Sequence, residues 1–332
     1  MSNLVPSFYN RVLNHYNFNN QIKLAFAYGS GVFKQLNNTN SKNDSIIDFV
    51  FVVDDALTYH DLNTEANPKD YSFLKHFGPY YLAKVQNQYG AAVYYNTLVK
   101  FEDYFIKYGI IQKNYFLRDL YDWDYLYISG RLHKPVKMLK TDNQKDIHDS
   151  LNVNIKNAFH TALLLLPETF SLEELFLCIT NLSYHGDVRR TIGAEDKSKV
   201  LNIVKPNFDH FYELYKPIIQ KENVNFLHLN EITLKVDQDK GAHSIYHNLN
   251  FLPKNLLQIM TTRSVKLRQY QDMEELVFKL ATRADLKIII NNAINYIVQR
   301  NSISQTIKGL FTAGVVKSIN YSARKFKKMF KK

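Results

Sequence analysis

Tyr28-Gly29-Ser30-Gly31 closes a short apolar run, Lys23 to Tyr28 (KLAFAY), and Asp48 opens another, Asp48 to Val53 (DFVFVV). A Gly-Ser turn at the end of a strand presents backbone N–H groups and a hydroxyl to phosphate oxygens, and glycine lets the backbone come close. An acid on a neighbouring strand can hold Mg2+ against the same triphosphate. The chemistry suggested is transfer of a nucleotidyl group, with Gly29, Ser30 and Gly31 as the cradle and Asp48 as metal ligand, against the plainer reading of an ordinary turn. A second carboxylate is missing from that strand, because the position two after Asp48 is Val50. Asp54 has the right parity but lies about 20 Å along a straight strand, too far to share an ion. Asp119 and Asp122 remain as candidates for a second ligand, against the plainer reading of solvated helix surface.

Polyanions meeting at one site need cations to clamp them. Lys107, in the run Ile106 to Ile111 (IKYGII), sits beside an expected strand and can reach a triphosphate; otherwise it is a solvated edge residue. Arg131 and Lys134 fall in Gly130 to Pro135 (GRLHKP), read as a loop whose turn presents both side chains to one cleft. His133 between them reads as an exposed loop histidine. Asp187 and Arg189 follow a helix and a glycine and can project toward a nucleotide or a phosphate, or pair with each other.

These residues need a scaffold. KLAFAY, DFVFVV, Ala91 to Tyr95 and Leu126 to Ile128 read as sheet strands. The apolar spacing from Leu151 to Leu166 predicts a helix stopped by Pro167, and Ser171 with Glu174 forms a capping box opening another. Asn225 to Val236 and Ser244 to Phe251 read as two strands joined by Asp237 to Ala242. Helices followed by a hairpin suggest a winged-helix-like second domain. The class is α+β: a domain over residues 1–145, a helical, winged-helix-like domain over 146–300 and a tail over 301–332. In the first domain, Gly-Ser followed some ten to twenty residues later by an acid, an apolar residue and a second acid is the outline of the nucleotidyltransferase fold, which this chain carries without the second acid.

Composition narrows the function. At 332 residues, 45% hydrophobic and 22% charged, the chain suits two globular domains. A single cysteine, Cys178, excludes an internal disulfide and a cysteine-built zinc site. No apolar run reaches the roughly 18 residues of a bilayer-crossing helix. The net charge of +11 is concentrated: ten of the 42 basic residues follow Asp285, where there is no acid, leaving 32 against 31 acids in the rest. A generally basic groove for a polynucleotide is therefore not implied. At about 100° per residue, Val315, Val316, Ile319, Ala323, Phe326, Met329 and Phe330 gather on one side of a tail helix, with most of its basic residues opposite. Such a basic amphipathic helix suits an anionic membrane surface, or packs on its own protein with a solvated basic face. Residues 1–43 hold no acid and four basic residues, the acid-poor bias of an organellar transit peptide.

The runs YGSGVFKQ (Tyr28 to Gln35), IDFVFVVDD (Ile47 to Asp55), YSFLKHFGP (Tyr71 to Pro79), YGAAVYYN (Tyr89 to Asn96) and IKYGII follow one another in a recognisable order. LYISGRLHKPV (Leu126 to Val136), ALLLLPETFS (Ala162 to Ser171), LSYHGDVRR (Leu182 to Arg190), KVLNIVKPN (Lys199 to Asn207) and KGLFTAGVVKS (Lys308 to Ser318) continue it. The chain resembles the mitochondrial phosphatidate cytidylyltransferase family, matrix-side CDP-diacylglycerol synthases first known as translocator assembly and maintenance proteins. It departs from the family's pattern at Tyr59-His60, at Val188 and Arg190 after Gly186-Asp187, and in the lengthened Gly193 to Lys197. The resemblance implies a nucleotidyltransferase domain, a winged-helix domain and a membrane-associating C-terminal helix on the inner membrane. CTP and phosphatidic acid would give CDP-diacylglycerol and pyrophosphate with Mg2+, feeding cardiolipin synthesis at an anionic phospholipid surface, with no nucleic acid involved. A phosphomonoester, with its second pKa about 6, is already largely dianionic near neutrality, so the attack needs no base and one carboxylate is chemically reasonable. Two other readings stand beside it: a non-catalytic membrane scaffold maintaining protein translocation, and an RNA-modifying nucleotidyltransferase.

Overall fold

The computed structural model describes residues 7–33, 46–186, 198–222, 227–264 and 272–314. It forms two units. One comprises residues 1–117, 136–147 and 301 onward; the other comprises residues 118–135 and 148–300.

The first unit is built on a five-stranded mixed sheet: β1 (Ile22–Tyr28), β2 (Ile47–Val53), β3 (Val93–Phe101), β4 (Tyr104–Gln112) and β5 (Lys137–Thr141), in the order β3-β4-β2-β1-β5. β2 and β4 run parallel and the other neighbours antiparallel. Central strands buried on both faces need near-continuous apolar sequence, and FVFVV in β2 supplies it. The expected strand at Ala91 to Tyr95 begins at Val93 and runs to Phe101. α1 (Phe8–Tyr16) buries Val12 and Tyr16 with Phe49, Phe51 and Tyr108 of the sheet. Part of the acid-poor N-terminal segment is thus core of this unit.

Asp70 fastens that packing, accepting hydrogen bonds from the hydroxyls of Tyr16 (2.9 Å) and Tyr108 (2.7 Å). α2 (Ala56–Ala66) carries His60, which is fully buried between the Tyr71 hydroxyl and Gln86; desolvation holds its pKa down at about 4. It is a neutral structural histidine. α3 (Pro79–Gln88) starts at a proline, whose fixed φ suits a first helical turn.

In the second unit, α4 (Lys113–Asp122) leads across from the first, and a short helix α5 (Ser129–Leu132) follows. Leu126 to Ile128 is not a strand: Trp123 and Leu126 have positive φ, and the segment is tied as a turn. α6 (Lys145–Leu165) stops before Pro167 as predicted, since proline cannot continue the hydrogen-bond ladder. β6 (Thr169–Ser171) precedes α7 (Leu172–Leu182), which opens with the Ser171/Glu174 capping box. Then come α8 (Lys199–Val204), α9 (Phe208–Glu222), β7 (Leu227–Asn230) and β8 (Lys235–Gln238). The hairpin is β7-β8, and β8 also pairs with β6 in a three-stranded sheet, β6-β8-β7. Ser244 to Phe251, expected as the second strand of a hairpin, lies mostly in helix α10 (Ala242–Leu249). Ser244, Asn248 and Leu249 fall on one helical face and are buried there, which overrides the β-like composition. α11 (Lys254–Ile259), α12 (Met273–Ala281) and the long α13 (Leu286–Ala313) complete the described elements.

The core of the second unit is separate, with Phe159, Phe176, Phe211, Tyr215 and Ile290 at its centre. Among the described residues no helix is long and apolar enough to cross a membrane. The predicted amphipathic helix over Val315 to Lys332 lies outside the described residues, which stop at Gly314.

Candidate functional site

In the first unit, the turn after β1 is closed by the Gly29 carbonyl, which accepts from the N–H groups of Val32 (3.1 Å) and Phe33 (2.9 Å). The two glycines of the turn serve different ends. Gly29 has φ +82°, and a Cβ there would lie 3.3 Å from Asp48 Oδ2. A Cβ on Gly31 would meet the Ile46 carbonyl at 2.8 Å and Ile47 Cα at 3.1 Å, so this glycine lets the turn pack on the entry to β2. Ser30 stands between them on the turn.

Register does the rest. Tyr28 pairs with Asp48 across β1 and β2, and Asp48 with Lys107 across β2 and β4. Directly paired residues share a face, so three side chains far apart in sequence sit at one level. Lys107 Nζ is 3.7 Å from Asp48 Oδ1, and both side chains are partly exposed (16% and 23%). Lys107 also lies over the Tyr95 ring, 4.3 Å from its centroid, and the Tyr95 hydroxyl is 3.4 Å from that of Tyr28. Gly109 is the reason Tyr95 fits: a Cβ there would sit 2.5 Å from the ring. The cluster is therefore Gly29, Ser30, Asp48, Lys107 and Tyr95. Sequence reasoning missed Tyr95 and Gly109; only the pairing of Tyr95 with Gly109 across β3 and β4 gives them away.

A Mg2+ ion fits this end of the sheet. It is commonly held by one or two carboxylates with substrate phosphates and water completing the shell, and Asp48 is accessible. Val50, where a second carboxylate would stand, is fully buried core, and Asp54 is ion-paired to Lys23 at 3.1 Å. Asp119 is not solvated helix surface. It is buried and accepts from the backbone N–H groups of Tyr125, Tyr127, Ile128 and Ser129 at 2.8–3.3 Å. Burial pushes its pKa up while those four bonds pull it back. It ties the turn that leads into α5. Asp122 is partly buried at the end of α4.

In the second unit, Arg131 lies on α5, a short helix where a loop was expected. Its guanidinium stacks 4.0 Å over Tyr127, and Nη1 donates to the Tyr127 carbonyl at 2.9 Å. Lys134 donates to the Gly130 carbonyl and to Ser183 Oγ (2.9 Å), with the Tyr184 ring 5.0 Å away. Burial, with repulsion from Arg131 and Lys199, lowers its pKa to about 7. His133 is fully buried, not an exposed loop histidine. Its Nε2 faces Asn154 Oδ1 (3.0 Å), which also accepts from Trp123, and burial holds its pKa near 3. Asp187 and Arg189 lie outside the described residues.

One basic residue of the acid-free C-terminal stretch belongs to the first unit's interior. Lys308 is buried and donates to the carbonyls of Gln86 (3.2 Å) and Tyr89 (2.5 Å), capping the end of α3. Desolvation lowers its pKa to about 7. Gln305, one turn earlier, accepts from the Ala91 N–H and donates to the Val93 carbonyl.

The family model described as phosphatidate cytidylyltransferase, mitochondrial, matches residues 9–328. The phosphatidate cytidylyltransferase, mitochondrial, of Xenopus laevis is 45% identical over 315 residues, 95% of this chain and 92% of its own. That of Mus musculus is 42% identical over 321 residues, 97% and 94%. The Homo sapiens protein of the same name is 41% identical over 306 residues, 92% of this chain and 67% of its own. A solved nucleotidyltransferase-like protein of Exiguobacterium sibiricum overlaps it only loosely, with TM-score 0.25 and 9% identity over 91% of this chain and 75% of the other.

Proposed function

The chain belongs to the mitochondrial phosphatidate cytidylyltransferase family, and from that premise we propose that Gly29, Ser30, Asp48 and Lys107 form the nucleotide end of the site where CTP and phosphatidate become CDP-diacylglycerol and pyrophosphate. A phosphate oxygen of the lipid bonds to the α-phosphorus of CTP. The bond from that phosphorus to the bridging oxygen breaks, and its electron pair leaves with pyrophosphate. The lipid phosphate is largely dianionic near neutrality, so no base has to take a proton. This suits a cluster with one carboxylate and one lysine.

The observation that carries the reading is the level Asp48–Lys107 pair beside the Gly29 turn. The turn's backbone approaches the triphosphate, Lys107 offsets negative charge on the leaving group, and Tyr95 holds the lysine in place. Mg2+, when bound through Asp48 and the nucleotide phosphates, supplies positive charge that lowers the cost of bringing two anions together. In the second unit, Arg131 and Lys134 are assigned to phosphate binding. An ammonium has three N–H bonds, and Gly130 and Ser183 take two of those of Lys134. Asp187 and Arg189 are assigned to nucleotide binding on residue type and family resemblance. The first unit reads as a nucleotidyltransferase fold, and the second, with its helices and β7-β8 hairpin, as winged-helix-like.

Attachment to an anionic membrane, the matrix face of the inner membrane in this reading, draws on the basic tail and on an exposed apolar patch of the first unit. Phe73, Phe77, Tyr80 and Tyr81 are 40–70% exposed, and Phe77 meets Tyr81 ring to ring at 5.2 Å. Leu310 and Phe311 are half exposed near the end of α13, whose next residue, Gly314, would place a Cβ 3.5 Å from Ser72. Aromatic groups of this kind partition into the headgroup boundary.

The test is transfer of label from α-labelled CTP to phosphatidate in cardiolipin-containing liposomes, with Mg2+, beside Asp48→Ala. Wild type moves label, and the variant falls to below about a hundredth of that rate while melting as wild type does. Failure of wild type to move label while it binds the liposomes supports the scaffold reading instead.

A further inference from the structure

A second cluster with ligand chemistry lies in the second unit, on three residues to which no role has been assigned above. His160 on α6, Glu222 at the end of α9 and His247 on α10 bring two imidazole nitrogens and a carboxylate oxygen within 4.8 Å of one another. Glu222 Oε2 is 3.2 Å from His247 Nε2, and Glu222 Oε1 is 3.9 Å from His160 Nε2. Ligand distances of about 2.0–2.2 Å around a tetrahedral ion imply donor spacings of roughly 3.3 Å, so rotamer adjustments of under about 1 Å close the set.

The strongest observation is the state of His160. Its ring is fully buried, stacked on Phe251 at 4.2 Å and edge-on to His247 at 5.6 Å. Nδ1 lies 2.7 Å from Asn248 Oδ1, an acceptor, so Nδ1 carries the proton and Nε2 presents a lone pair. That Nε2 is buried without a hydrogen-bond partner. It faces a carboxylate oxygen, another acceptor, with no proton between them. Two buried lone pairs opposed across 3.9 Å repel unless a cation stands between them. The Asn248 contact is the type of outer bond that fixes the tautomer of metal-binding histidines. We infer that His160, Glu222 and His247 form a zinc-type site for a divalent transition ion, distinct from the Mg2+ of the nucleotide end, that pins α6, α9 and α10 together.

The electrostatics make a second prediction of opposite sign. Lys156, 3.7 Å from the Phe251 ring centroid, and Lys221 both repel positive charge at His160. Removing one of them strengthens ion binding, whereas a cluster held only by hydrogen bonds is indifferent to it.

The experiment uses the full chain, stripped of metal by chelator and dialysed, titrated with Zn2+ against a chromophoric competitor and with Co2+ while ligand-field absorption is recorded. Wild type takes up one equivalent of Zn2+ with a rise in melting temperature, and Co2+ gives the intense bands of a low-coordinate site. His247→Gln and Glu222→Gln each weaken Zn2+ binding by at least about tenfold. Lys156→Gln tightens it, and Asp48→Ala leaves it unchanged. Lys156→Gln and Asp48→Ala keep the test decisive even where a ligand variant fails to fold. No uptake by wild type, or uptake equal in wild type, Glu222→Gln and Lys156→Gln, overturns the assignment.

Discussion

Replacing each glycine of the β1 turn by alanine separates the two jobs that the turn performs. Gly29 sits at φ +82°, where an L residue costs about 1–2 kcal/mol. For a unit of this size, that lowers the melting temperature by about 2–8 °C. The new Cβ also comes 3.3 Å from Asp48 Oδ2, a side-chain atom able to give by a few tenths of an ångström. If a misplacement of about 1 Å costs about 100-fold, this smaller one costs CTP turnover about three- to tenfold. Gly31 has no such φ, but its Cβ would meet the backbone at 2.8 Å, and the entry to β2 cannot yield without moving Asp48 with it. Overpacking there costs about 1–3 kcal/mol, with a loss of turnover near the full 100-fold. The assay is kcat/KM for CTP in the liposome reaction beside thermal melting of each variant. In an Asp48→Ala background the Gly29→Ala penalty in melting shrinks to its φ component. Turnover unaffected in both variants while both melt early would refute the reasoning, because the turn would then serve the fold and not the nucleotide.

Lys134 and Lys308, each brought down to about 7 by burial, bind a proton less readily folded than unfolded. Stability therefore rises as pH climbs from about 7 toward the ordinary lysine value, and the penalty is full below 7. Lys134→Met flattens its share of that slope in urea melts at stepped pH, and an unchanged slope counts against the buried ammonium. In the same window the wild-type contribution of Lys134 to phosphate binding falls with rising pH, seen as a rising KM absent from the variant. Phe77→Ser combined with Phe311→Ser lowers liposome sedimentation by about tenfold or more, since each exposed aromatic contributes on the order of 1.5–3 kcal/mol when it leaves water; sedimentation equal to wild type removes the patch from the membrane reading. Asp119→Ala strands four backbone N–H groups and destabilises the second unit by about 3 kcal/mol or more, read by chemical denaturation. A loss under about 1 kcal/mol would mean that the turn holds itself.

Much of the end of the sheet proposed to hold the nucleotide was legible along the chain because its parts are local. A glycine-serine turn after one apolar run and an acid opening the next are readable without any partner, as is the capping box at Ser171. Lys107 was legible as a candidate, but its place beside Asp48 depends on the parallel pairing of β2 with β4, a contact between segments some sixty residues apart. Tyr95 entered for the same reason, through a gap that Gly109 leaves across a strand pair. The misreadings of His133 and Asp119 share a cause: both, like Lys308, are polar residues in ordinary surface company along the chain, and only tertiary packing puts them inside. Once buried, each must find hydrogen-bond partners, at Asn154, at four backbone N–H groups and at the end of α3, and desolvation shifts its pKa. Helix α10 likewise carried strand-like composition until its buried face decided. The sequence by itself determined the α+β class, the glycine-serine turn with the acid that follows it, and the family, because turn residues, apolar runs and motif order act over short separations. The tertiary structure decided which charges work at the surface and which hold the interior, because burial and strand register are properties of residues brought together from distant parts of the chain.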